Sequence, residues 1–310
     1  MAKEQSVKPT AEDLVRVKGL GFLRDKTAED TFNCRVITRN GKITADESIV
    51  IAEASKRFGS GEIAFTTRQT VEIQGIPYAN IEPLIAFLAE YGLMTGGTGP
   101  KVRPIVSCKG TTCVFGLIDT YGLSLKIHER FYVGYHGVKL PHKFKIAVGG
   151  CPNNCVKPSL NDLGIIGQRV PMVDTALCRG CKSCAVEKAC PMKAARVTDG
   201  KMAIGASCIN CGRCTSKCPF GAVTAEKTGY RLYVGGRWGK VGAEGHPLSQ
   251  ILLSEEEVLD TVEKTILFFK EYGLPGERLA ETVERLGFDA VEKEILCGDL
   301  LARKEEIIAK

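Results

Sequence analysis

The strongest constraint on this chain is a duplicated run of cysteines. Cys178, Cys181 and Cys184 follow one another at a spacing of two intervening residues, with Cys190-Pro191 after them; Cys208, Cys211 and Cys214 repeat the spacing, with Cys218-Pro219 after them. Three thiolates on one tight loop cap three irons of a cubane cluster, while the fourth, on a separate turn, ligates the other cluster of the pair. The repeat therefore assigns Cys178, Cys181, Cys184 and Cys218 to one 4Fe-4S cluster and Cys208, Cys211, Cys214 and Cys190 to a second. Structural zinc sites use four-ligand sets of other spacings. The segment 171–228 that carries these eight cysteines holds no helix of normal length and reads as a small metal domain inserted into a larger one. Two such clusters conduct electrons and perform no chemistry themselves.

The chain has 14 cysteines in 310 residues. It is long enough to bury a core without disulfide staples, so metal is the economical reason for them. With 44% hydrophobic and 25% charged residues, disorder and a fibrous chain are excluded. No apolar run approaches the roughly 20 residues of a membrane span, and Met1 to Lys8 lacks the apolar stretch of a signal peptide. The expectation is a cytoplasmic protein in reducing conditions, without a membrane span.

The net charge of +6 is too small to demand a nucleic-acid partner, and none is expected. Its distribution says more. Between Lys101 and Lys145 stand eight Lys or Arg and only two acids, Asp119 and Glu129. Cys108 and Cys113 lie inside this basic stretch, and Cys151 and Cys155 follow directly after it. Together these four can close one more 4Fe-4S cube. Cys34 and Cys297 have no partners in sequence and read as buried free thiols.

The first hundred residues alternate strand and helix signals: Cys34–Thr38, a helix from Asp46 to Phe58, strands at Glu62–Thr66 and Thr70–Gln74, and a helix over Ile81–Tyr91. This order predicts a two-layer α+β module over residues 1–100, followed by a linker or rigid loop at Gly96–Pro104. The second module, 101–170 and 229–310, is read as a helix at Val114–Tyr121, strands at Phe144–Val148, Leu163–Gly167 and Tyr230–Val234, a helix from Ser254 to Tyr272 behind a Ser254/Glu257 capping box, and two shorter terminal helices. Phe268, Phe269 and Tyr272 read as core, and His128, His136 and His246 as surface or loop residues.

Leu140 to Cys155 (LPHKFKIAVGGCPNNC), Thr66 to Thr70 (TTRQT) and Tyr230 to Gly239 (YRLYVGGRWG) resemble the motifs of the sirohaem-dependent sulfite and nitrite reductases. The resemblance spans nearly the whole chain, which with its inserted bacterial-ferredoxin-like domain of two 4Fe-4S clusters looks most like the C subunit of anaerobic sulfite reductases and, more loosely, like dissimilatory sulfite reductase subunits. The one departure is four residues between Cys108 and Cys113, where the family usually has five. The implied fold is α+β, with sulfite/nitrite reductase-like modules around the insert.

The resemblance implies sirohaem and three 4Fe-4S clusters, one of them coupled to the haem through Cys155 as axial link. It implies cofactor contacts from Cys155, Thr67, Gln69, Thr70, Lys109, Asn153 and Arg237, and an anion clamp of Arg35, Arg68, Lys143 and Lys145. Sulfite is a small oxyanion that needs fixed cations for binding and nearby acids for its protons. Lys143 and Lys145 share a face if their segment is extended, and His142 beside them can aid proton delivery. The expected activity is six-electron reduction of sulfite to sulfide. Nitrite or hydroxylamine reduction on the same haem, and a non-catalytic electron-transfer subunit, are the other readings. No nicotinamide or flavin fingerprint follows any strand, so electrons must come from partner subunits of iron–sulfur and flavin or NADH type. In the family's longer members two copies of this module sit about a pseudo-twofold; the single copy here implies a homo- or hetero-oligomer about a twofold.

Overall fold

Thr10, Thr44 and Ser254 each accept a hydrogen bond from the backbone N–H three residues on, while the acid there, Asp13, Glu47 or Glu257, accepts one in return. These capping boxes start three of the helices. The computed structural model describes residues 8–28 and 30–310; the amino-terminal segment whose composition argues against a signal peptide lies, but for Lys8, outside them.

The first module runs α1 (Ala11–Gly19), β1 (Phe22–Arg24), β2 (Thr31–Val36), α2 (Ala45–Phe58), β3 (Ile63–Phe65), β4 (Val71–Pro77) and α3 (Ile81–Glu90), with an antiparallel sheet in the order β1-β2-β4-β3. The sequence order lacked α1 and β1. α1 buries only Val17, so it carries little apolar periodicity. Along β2, Phe32, Cys34 and Val36 face the core under α2 and α3, which turns Arg35 to the opposite face.

The second module is built on β5 (Val106–Ser107), α4 (Thr120–Ile127), β6 (Ile146–Gly149) and β7 (Leu163–Val173). The helix expected from Val114 starts instead at Thr120, where Asp119 accepts the Gly122 N–H at 3.0 Å. Val114 is 91% exposed and could not have faced a core. β5, β6 and β7 are parallel. After β7 comes a lobe with α5 (Ala185–Ala189), β8 (Ala195–Thr198) and β9 (Lys201–Ile204), and the chain returns along β10 (Val223–Val234), antiparallel to β7, then β11 (His246–Pro247). The sheet order is β11-β10-β7-β6-β5. β7 and β10 stay paired out to Val173 and Val223, so the expected insert limits of 171 and 228 fall within this ribbon.

α6 (Glu255–Tyr272), α7 (Leu279–Leu286), α8 (Phe288–Cys297) and α9 (Lys304–Ala309) complete the module, one terminal helix more than expected. α6 buries Val258, Val262, Ile266 and Phe269 against the sheet residues Ile146, Ile165 and Leu232. Phe268 is also core, but Tyr272, at the end of the helix, is exposed. Cys34 is buried, whereas Cys297 is exposed where α8 runs out. His136 and His246 lie at the surface. His128 does not: a π-helical turn at His128–Val133 continues α4, and the imidazole is buried and stacked on Tyr132 at 5.0 Å. Burial pushes it down to about 4, so it is neutral. Among the described residues no helix is long and apolar enough to cross a membrane.

Candidate functional site

The hairpin between β3 and β4 joins the two modules. Its tip closes through Gln69 N–H to the Thr66 carbonyl at 3.0 Å, Thr66 N–H to the Thr70 carbonyl at 3.0 Å, and the two threonine hydroxyls at 2.7 Å. Arg68 and Gln69 then reach across in different directions. The Arg68 guanidinium donates to Asn161 Oδ1 at 3.1 Å and to the carbonyls of Pro104 at 2.7 Å and Ile146 at 3.3 Å. Gln69 donates to the Ser107 carbonyl at 2.7 Å and accepts the Ser107 N–H at 2.9 Å, like one more rung beside β5.

On the Arg68 side lies a cavity of 310 Å³ lined by Arg35, Thr66, Thr67, Arg68, Thr70, Arg103, Lys143 and Lys145 among others. All four cations expected from sequence are present. Arg103 was missed, and its position has a simple cause. Val102 pairs in parallel with Phe144, and the Arg103 N–H donates to the Phe144 carbonyl at 2.8 Å. Val102 and Phe144 are buried, so by alternation Arg103, Lys143 and Lys145 turn to the cavity. Arg35 sits 3.8 Å from Glu72. The Nε atoms of Arg35, Arg68 and Arg103 are buried without a hydrogen-bond partner among the described residues.

Crowded, half-buried cations repel one another. Burial and the neighbouring charges of Arg68 and Arg278 bring Lys145 down to about 8. Arg68 and Arg103 fall to about 10, chiefly through burial, and Lys143 is lowered for the same reason. Behind the cavity Asp162, fully buried, receives Arg278 on both oxygens at 2.9 Å and the Lys145 N–H at 2.9 Å. His142 accepts the Lys143 N–H on Nδ1 at 2.7 Å, and burial with the adjacent cations lowers it.

On the Gln69 side is a cavity of 620 Å³ with Cys108, Cys113, Cys151 and Cys155 all on its walls, together with Gln69, Lys109, Phe115 and Asn153. The two cysteine loops can meet because Gly110 and Gly150 carry no side chains: a Cβ on Gly150 would lie 2.8 Å from the Gly110 Cα. The Gly150 N–H donates to Cys108 Sγ at 3.1 Å. The shorter Cys108–Cys113 spacing is taken up by a 3-10 turn over Gly110–Thr112. Burial, aided by the neighbouring sulfurs of Cys108, Cys155 and Cys113, pushes the Cys151 thiol up, an environment that bound iron inverts. Among the described residues no three His, Cys, Asp or Glu converge on one point, as a single ion requires. Four thiols around an open space instead fit a cube, and the cavity size suits a cofactor.

Of the expected cofactor contacts, Cys155, Gln69, Lys109 and Asn153 line the cysteine cavity. Thr67 and Thr70 line the cation cavity, not the cysteine one, and Gln69's amide is committed to Ser107. Arg237 lines neither cavity; α7 presents Glu281 to it, and the pair closes at 2.7 Å. In the lobe, Cys190, Cys208, Cys211 and Cys214 line one narrow cavity. Cys178 Sγ accepts the Met202 N–H at 3.2 Å, and Cys181 is exposed.

The profile described as the nitrite and sulphite reductase 4Fe-4S domain matches residues 98–300, and that of the nitrite/sulfite reductase ferredoxin-like half domain matches 24–91. The chain belongs to the nitrite and sulfite reductase family. Among its relatives, the coenzyme F420-dependent sulfite reductase of Methanocaldococcus jannaschii is 33% identical over 275 residues, covering 87% of this chain and 43% of that protein. The dissimilatory-type sulfite reductase alpha subunit of Allochromatium vinosum is 28% identical over 270 residues, 76% of this chain and 62% of the relative. The C subunit of the anaerobic sulfite reductase of Salmonella typhimurium is 32% identical over 165 residues, 48% of this chain and 47% of the relative. The chain thus spans less than two thirds of each of these relatives. The crystal structure of dissimilatory sulfite reductase I superposes with a TM-score of 0.68 at 22% identity, covering 86% of this chain and 68% of that one. The α+β fold is that of the family.

Proposed function

We propose that the chain is a sirohaem- and iron–sulfur-dependent reductase subunit that takes sulfite to sulfide. The observation that carries this reading is the pair of cavities divided by one hairpin: one with five cations on its wall, the other with four cysteines. Cys108, Cys113, Cys151 and Cys155 would hold a 4Fe-4S cluster, with Cys155 as its link to sirohaem; when bound, these groups supply the electrons and the iron at which an oxyanion is reduced.

The chain's own residues bind and protonate. Arg68, fixed by three acceptors, is a rigid charge. Lys143 and Lys145 are freer donors for oxyanion oxygens, and Arg103, held on one side by the Gly97 carbonyl, offers its remaining N–H groups. Lys145, poised at about 8, can release a proton near neutral pH where an ordinary lysine cannot, and regain it from solvent. The eight lobe cysteines would hold two further clusters that pass electrons inward from a partner subunit. The cation and cysteine cavities share no lining residue, which favours assembly about a twofold, with the cations of one chain facing the cofactor of the other.

The test is a visible spectrum of anaerobically purified protein, then turnover with sulfite and nitrite from a low-potential donor. Isobacteriochlorin bands and sulfide release are expected. Missing bands at full cluster loading would leave only an electron-transfer subunit, and turnover of nitrite alone would move the substrate.

A further inference from the structure

Three cavities stand in a row from the main sheet into the lobe, and neighbours share walls. Phe115, Gly116, Cys151 and Asn153 line both the 620 Å³ cysteine cavity and a 140 Å³ cavity beside it. Cys211, Gly212 and Arg213 line both that second cavity and the narrow one around Cys190, Cys208, Cys211 and Cys214. The loop carrying Cys211 is tied to the sheet. The Arg169 N–H donates to the Asn210 carbonyl at 2.7 Å, and Arg169 pairs with Cys211 as a parallel bridge. Gly212, at φ +66°, lets the Arg169 side chain occupy the place a Cβ would take, 2.6 Å from its Cδ.

Across the middle cavity the Arg213 guanidinium lies over the Phe115 ring, 4.7 Å from its centroid, where the ring's quadrupole attracts a cation. The duplicated motif is asymmetric at this place. Where the second repeat reads Gly212-Arg213, the first reads Lys182-Ser183. The first repeat's own aromatic contact, Arg179 over Phe220 at 4.3 Å, stays inside the lobe. None of Cys178, Cys181, Cys184 and Cys218 lines any of the three cavities.

We propose that Arg213 and Phe115 are positioning residues that dock the lobe on the sheet, making Cys190, Cys208, Cys211 and Cys214 the inner set, next to Cys151, and leaving Cys178, Cys181, Cys184 and Cys218 as the outer set that a donor protein meets. This rests on the reading above that the three cysteine sets hold clusters.

The experiment uses the reduced, iron-loaded chain, with iron and sulfide content and the spin–spin broadening of its cluster signals by electron paramagnetic resonance as readouts. Arg213→Gln and Phe115→Ala should keep full iron but lose most of the broadening between the Cys108/Cys113/Cys151/Cys155 cluster and its neighbour. Phe115→Tyr should retain it, and Arg179→Gln, in the outer set, should leave it unchanged. Hydrogen exchange gives a second measure: amides of 208–214 should exchange faster in the first two variants while those of 178–184 do not. Unchanged broadening and exchange at full iron, or equal loss in Arg179→Gln, overturns the inference alone. A wild-type iron count showing no clusters in the lobe overturns both it and the reading beneath it.

Discussion

Arg278→Met tests the account of the cation cavity where it is most exposed to error. Asp162 is fully buried, and its two oxygens are held by Arg278 at 2.9 Å each and by the Lys145 N–H at 2.9 Å. Removing one partner of a buried ion pair leaves the other charge stranded, which costs about 3–5 kcal/mol. For a chain of this size that corresponds to a fall in Tm of roughly 5–8 °C. The loss has a sign in pH. Burial already raises the Asp162 carboxyl and Arg278 opposes that rise, so without Arg278 the acid moves further up. An acid whose folded pKa exceeds its unfolded value carries a penalty that grows as pH rises from the unfolded pKa, is complete above the folded one, and is relieved as pH falls back through that interval. The deficit of Arg278→Met against wild type should therefore be largest above neutrality and shrink toward pH 5, by at most about 1.4 kcal/mol per pH unit. Asp162→Asn added to Arg278→Met should recover part of the stability, because no charge is then stranded. Chemical unfolding of anaerobic, iron-loaded protein followed by circular dichroism measures each quantity. A deficit below about 1 kcal/mol that neither varies with pH nor responds to Asp162→Asn would refute the reasoning.

Iron analysis of clean anaerobic protein should give about 13 per chain, twelve in three cubes and one in haem; about eight with no haem bands would leave an electron carrier. With Lys145 at about 8 in the free cavity, sulfate, which does not itself titrate there, should inhibit equally at pH 6.5 and 7.5 and weaken by up to about tenfold per unit above 8, because the bound anion holds the proton that the free lysine loses. Lys145→Arg should flatten that fall, and a wild-type profile flat to pH 9.5 would remove Lys145 from the anion site. For assembly, co-expressing inactive Lys143→Ala/Lys145→Ala chain with inactive Cys155→Ser chain should restore activity in mixed dimers; no recovery in a verified mixed dimer means that each chain builds its own site.

What the sequence shows best is chemistry carried by short spacing. The cysteine loops place Cys108, Cys113, Cys151 and Cys155 on one cavity, and Cys190 beside Cys208, Cys211 and Cys214 on another. Lys143 and Lys145 share a face because the segment is extended, which alternation alone reveals. Arg103 was illegible for the opposite reason: Gly96–Pro104 has a loop's composition, and its pairing with Phe144 is a long-range event that no local pattern encodes. Arg278 lies 116 residues from Asp162, and neither signals the other. His128 was misjudged because a π turn keeps the chain helical past Ile127 and rotates the ring inward. The helix expected at Val114 failed because apolar residues near a cysteine cavity need not face a core.

The cation cavity also explains why its residues resist interpretation one at a time. Among the described residues, the counter-charges close to Arg35, Arg68, Arg103, Lys143 and Lys145 are Glu72 and the already paired Asp162. The downward shifts of Arg68, Arg103 and Lys145 record chiefly the cost of burying these charges, with repulsion between neighbouring cations added to it. Folding tolerates the arrangement because Arg68 also bridges the modules, donating to Asn161, Pro104 and Ile146, so its own charge is solvated by protein dipoles. Loss of Arg68 would therefore remove a cation from the cavity wall and a module latch together. Gln69 separates the two effects, since it latches the same hairpin to Ser107 and carries no charge. A change at Gln69 disturbs the latch and the wall of the cysteine cavity without touching the cation charge, and a change at Lys145 alters that charge without touching the latch; Arg68 sits where both demands meet.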